Sequence, residues 1–96
     1  MMYRFAELAE HLRHGREIEF VYNKRNYSIT NHSGYWHLCD DTAHVLLQTL
    51  CRFEEKELLV EKTAAFCLEG KRIADIFNEQ LYEPGSCTSC SDTALY

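Results

Sequence analysis

Glu17-Ile18-Glu19-Phe20-Val21-Tyr22-Asn23-Lys24-Arg25-Asn26-Tyr27-Ser28-Ile29-Thr30 is the stretch that decides the fold. Ile18, Phe20 and Tyr22 alternate with Glu17, Glu19 and Val21. After the polar break Asn23-Lys24-Arg25 the alternation resumes, with Tyr27 and Ile29 set between Asn26, Ser28 and Thr30. A period of two in β-branched and aromatic residues reads as two half-buried strands, joined by that break into a hairpin. A second turn, Asn31-His32-Ser33-Gly34, leads into Tyr35-Trp36-His37-Leu38-Cys39. Trp36 and Leu38 share one face of this third strand, and Tyr35, His37 and Cys39 share the other. The pattern predicts a three-stranded antiparallel meander with one apolar face to cover.

The flanks supply the cover. Phe5, Leu8, Ala9 and Leu12 recur at helical spacing, with Arg4, Glu7, Glu10, His11 and His14 between them and Gly15 as a stop. Residues 43–51, behind Asp40 and Asp41, read either as a short helix or as a fourth strand. From Glu54 the chain is rich in helix formers and opens on an acidic turn suited to a helix N-terminus. Ile73, Ile76, Phe77 and Leu81 mark one face of a final helix ended by Pro84-Gly85. The expected fold is α+β: an N-terminal helix, three or four antiparallel strands, and two C-terminal helices on one face. Residues 1–85 are expected to form one compact domain and residues 86–96 a flexible tail.

Composition fits that size. The chain has 96 residues, 46% hydrophobic and 26% charged, enough for one core and well outside the disordered class. No apolar run, Val45 to Leu47 included, approaches the roughly 20 residues of a membrane span, and Met1 to Glu10 lacks a secretory pattern. The expectation is a cytoplasmic protein, monomeric or a small homo-oligomer, with no membrane partner. Five cysteines, an odd count partly set in apolar segments, read as reduced thiols.

Charge is lopsided. Residues 1–37 carry five Lys/Arg against four Asp/Glu, and residues 38–96 carry five against eleven. Such a field steers partners of opposite sign. Asp40, Asp41, Glu54, Glu55, Glu57 and Glu61 are the leading acidic candidates, as a solvated surface or as carboxylates that occupy a partner's basic groove in place of phosphates. Tyr35 is a candidate aromatic anchor beside them. Arg16, Lys24 and Arg25 make too sparse a basic spot for direct nucleic-acid binding.

Cys87-x-x-Cys90 is the one motif with a named chemistry, half of a zinc site or a redox pair, and would need partners from His37, Cys39 or His44. No phosphate loop, zincin helix, nucleophile elbow or calcium loop is present in the sequence. The expectation is therefore a non-enzyme without metal or other cofactor.

The run from Glu17 to Thr30, with Tyr35-Trp36-His37-Leu38 and Glu69-Gly70-Lys71-Arg72-Ile73-Ala74-Asp75-Ile76-Phe77, resembles small uncharacterised proteins of Gram-positive bacteria, their phages and mobile elements. That group includes anti-CRISPR inhibitors, many of them acidic and stoichiometric. The resemblance implies an inhibitor or modulator of a larger basic nucleic-acid-handling protein, most sharply a CRISPR nuclease. The runner-up is a small metal-binding or redox regulator using Cys87 and Cys90.

Overall fold

The computed structural model describes residues 3–90. Four strands form the expected meander and its extension: β1 (Glu17–Tyr22), β2 (Arg25–His32), β3 (Tyr35–Asp40) and β4 (Val45–Arg52). Both first turns are two-residue connections. Asn23 and Lys24 have φ of 51° and 65°, and Ser33 and Gly34 have 54° and 84°, the positive pair that matches strand twist in a primed turn. Arg25 thus belongs to the ladder, opposite Tyr22, and not to the turn.

Residues 45–52 settle as a strand, and the structure shows why their period was hard to read. The β3–β4 register shifts between Trp36 and His37 and again between Leu38 and Cys39. Leu50 and Leu47 are the extra residues at these bulges, so two neighbouring side chains twice fall on the same side and alternation is broken.

Three helices cover one face: α1 (Phe5–Arg13), α2 (Lys56–Ala65) and α3 (Ile73–Asn78). Leu8 and Leu12 of α1, Leu59 of α2, and Ile73, Ile76 and Phe77 of α3 meet Ile18, Phe20, Tyr27, Ile29, Trp36, Leu38 and Leu50 of the sheet in a single core. Phe20 packs edge-on to Phe77 at 5.0 Å, and Phe77 stacks on Tyr82 at 4.6 Å. Leu81 does not join this face. The helix ends at Asn78, Gln80 turns at φ 54°, and Leu81 is left exposed while Tyr82 swings in. A small hairpin, β5 (Cys67–Leu68) and β6 (Lys71–Arg72), separates α2 from α3.

The segment after Pro84 is partly tied down. Ser86 Oγ accepts from Val21 N at 3.0 Å, Glu83 N donates to Val21 O at 2.8 Å, and β7 (Thr88–Cys90) pairs antiparallel with Glu17–Glu19. The sheet order is β4-β3-β2-β1-β7, so the meander has one sealed flank and one open flank. The remainder of the expected tail, residues 91–96, lies outside the described residues. Among the described residues no helix is long and apolar enough to cross a membrane.

Candidate functional site

The nominated carboxylates do not form one continuous face. Asp40 is only 7% exposed: its Oδ2 accepts from Arg25 Nη1 at 3.0 Å and its Oδ1 from Ala43 N at 3.1 Å. It is an internal brace of the β3–β4 turn, which corrects its assignment to a contact surface. Asp41 accepts from Ser28 Oγ at 3.1 Å and sits at the same end of the sheet. Tyr35 begins β3 and Asp40 ends it. At ~3.3 Å per residue that puts the two aspartates ~17 Å from the tyrosine.

Glu57 is neutralised by Arg13, whose Nε and Nη2 donate at 2.9 and 3.3 Å and tie α1 to α2. The hydrogen bond to Glu57 accordingly holds the Arg13 guanidinium above its ordinary pKa. Farther along, Asp75 pairs with Arg72 and Glu79 with Lys71, and Glu69 accepts from Asn23 Nδ2 at 2.6 Å. Glu55 Oε1 accepts from Arg52 N at 2.9 Å. Glu54 and Glu61 are exposed and make no ion pair among the described residues. Of the nominated carboxylates, Glu54, Glu55 and Glu61 make no ion pair among the described residues, and neither does Asp41 at the far end of the sheet.

Glu54 and Glu55 directly follow Phe53, an aromatic residue that the sequence reading did not single out. Tyr35, 41% exposed, is the cross-strand partner of Arg52. Phe53 follows, its ring stacked on Trp36 at 5.6 Å with 6° between planes and its other neighbour Lys56 Nζ at 4.1 Å from the ring centre. Phe53 N donates to Gly34 O at 2.8 Å, and Trp36 Nε1 donates to Phe53 O at 3.1 Å. The chain between β4 and α2 is therefore pinned from both sides and the Phe53 ring is held in place, whereas Tyr35, next to Trp36 in β3, lies on the opposite face of the sheet. Phe53 and Arg52 escaped the sequence reading because an isolated aromatic before an acidic run has no period. Their signal was position, directly after a strand and before a helix.

The thiol and imidazole candidates are differently placed. Burial pushes the Cys87 thiol up to about 12, so it stays protonated and is a poor ligand or nucleophile at neutral pH. The backbone of Cys90 pairs with Glu17, while its side chain lies outside what is described. Burial and Asp41 raise the pKa of Cys39 as well. His37 turns its ring nitrogens to Thr49 Oγ1 at 3.1 Å and His32 O at 3.3 Å, and His44 occupies the β3–β4 turn at φ 57°. Among the described residues no three His, Cys, Asp or Glu side chains are grouped to hold a metal ion.

Comparison of the chain with models of protein families, with curated proteins and with solved structures finds no match.

Proposed function

We propose that this chain is a stoichiometric protein-binding modulator of a larger, basic, nucleic-acid-handling partner, and in its sharpest version an inhibitor of an RNA-guided nuclease. The observation that carries this reading is the pre-ordered, partly exposed Phe53 ring directly followed by the unpaired carboxylates of Glu54 and Glu55, with Tyr35 exposed on the other face of the same end of the sheet. Rigid aromatic anchors lose little entropy on docking, and they dominate the energetics of many interfaces. The carboxylates would meet Lys and Arg side chains that otherwise grip a nucleic-acid backbone, as in the positively charged channel of an RNA-guided nuclease. A net charge of −5 adds long-range steering toward such a surface.

Dispersal of the other acids narrows the mechanism. A broad imitation of a phosphate track would need many unpaired carboxylates in a row, and Asp40, Glu57, Asp75 and Glu79 are spent on internal partners. The reading that remains is a compact aromatic anchor with an acidic border. It is tested by titrating the chain against a panel of guide-loaded RNA-guided nucleases of Gram-positive bacteria at low and high salt. Tyr35→Ala should weaken capture about tenfold, and Glu54→Lys with Glu61→Lys should abolish its salt dependence. Unchanged binding by variants that keep the wild-type circular dichroism would remove the proposal.

A further inference from the structure

The two flanks of the sheet are finished differently. On the β1 side the backbone is occupied by β7, Glu83 and Ser86. On the β4 side, among the described residues, no further strand pairs with Val45–Arg52; the backbone bonds outside the ladder are local, Gln48 Nε2 donating to Thr49 O and, at the end of the strand, Arg52 N donating to Glu55 Oε1 and Glu55 N to Arg52 O. This open edge carries Val45 at 45% and Leu46 at 55% exposure. It has no Lys, Pro or acidic residue along its length, and Arg52 at its end is its one charge.

Alongside that edge runs a cleft between β4 and the last turn of α2, lined by Gln48, Leu50, Lys62, Ala65 and Phe66. Leu50 is its buried floor. Its volume of about 250 Å³ lies below the ~300–1,000 Å³ of sites for drug-sized ligands. It suits a side chain or two entering from an adjacent strand. Strand alternation supplies those side chains: a chain added beside β4 would send every second residue toward α2 and the others beside Leu46 on the bare face. Lys62, the one charged residue lining the cleft, makes no ion pair among the described residues, and no carboxylate lines it.

We infer that the β4 edge and the β4–α2 cleft form a second docking surface, which accepts an extended segment of a partner protein as an added strand with apolar side chains in the cleft and a carboxylate on Lys62. A second copy of this chain fits the edge less well. Bulges at Leu47 and Leu50 twist the strand and interrupt the flat register that edge-to-edge self-pairing requires, and β4 contains no acid to offer Lys62 of its twin. The surface is distinct from the Phe53–Glu55 segment and stands whether or not that segment binds a nuclease.

The test uses the full chain and a phage-displayed library of random dodecapeptides. Selected peptides should converge on alternating apolar positions flanking an Asp or Glu. As synthetic peptides they should shift the amide resonances of residues 45–52 and 62–66 while leaving those of residues 17–22 in place. Lys62→Glu should weaken them at least tenfold, and Ala65→Gln, which fills the exposed cleft at unchanged charge, should do the same. No enrichment, shifts confined to other residues, or affinity indifferent to both substitutions would overturn the inference. Concentration-dependent dimerisation through the same amides without peptide would also overturn it, by giving the edge to a second copy.

Discussion

One buried and one half-buried side chain set sharp expectations for single residues. Thr63 of α2 is fully buried, and its Oγ1 has no hydrogen-bond partner among the described residues. A buried hydroxyl that has given up water and gained nothing costs about 1–3 kcal/mol. Valine keeps the branched shape and a similar helix propensity, so Thr63→Val is expected to stabilise the fold by about 1 kcal/mol. A rise in the urea midpoint at unchanged slope reports it, and a fall would show that the hydroxyl is satisfied in solution. Cys87 is the second case. Burial pushes its folded-state pKa from the ordinary 9.0 up to about 12, so the native state holds the proton more firmly. The associated stability is complete below the unfolded pKa and is lost as pH climbs from about 9 towards 12. At pH 8 iodoacetamide should therefore modify exposed Cys67 first, with half-buried Cys87 and buried Cys51 the slow ones among the four cysteines with described side chains, as read by peptide mass mapping. Early modification of Cys87 would contradict its burial.

At the level of elements, legibility in the sequence followed periodicity. The strands β1 to β3 and the helix α1 were readable because Ile18, Phe20, Ile29, Trp36 and Leu38, and then Leu8 and Leu12, keep an unbroken period and all reach the core. The identity of β4 was not, because two bulges set Leu47 and Leu50 out of phase. Other features depend on contacts across most of the chain, which no local window contains. Asn78 at the end of α3 caps α1, its Oδ1 accepting from Phe5 N at 3.0 Å. Tyr82 Oη takes Tyr3 N and donates to Tyr3 O. The pairing of β7 with β1 is of the same kind: Thr88-Ser89-Cys90 has little strand signal, and its place is fixed by the bonds Val21 makes to Glu83 and Ser86 just before it. The candidate site was half legible for the same reason. Tyr35 and Glu54 could be nominated by type, whereas Arg13 reaching Glu57 and Arg25 reaching Asp40 are tertiary facts.

For the whole molecule, charge has separate consequences for stability and for binding, and salt tells them apart. Of the ion pairs that join elements, Arg13 with Glu57 and Lys71 with Glu79 lie at the surface, where solvent screens them and holding two long side chains offsets their attraction, while Arg25 with Asp40 is half-buried and less open to screening. Screening them removes little. The same salt relieves the self-repulsion of a chain at net −5, which acts in the opposite direction. The core of Leu, Ile, Phe and Trp side chains is indifferent to both. The melting temperature should accordingly stay within the scatter of replicate scans as NaCl rises from about 0.05 to about 0.5 M, a range over which the Debye length falls well below 10 Å. Association with a basic partner through Glu54, Glu55 and Glu61 should weaken steadily over that range, since steering across solvent is what salt suppresses first. A fold that melted earlier in parallel with the loss of binding would locate the salt effect in the scaffold. Flat melting beside falling affinity would locate it in the acidic border of Phe53.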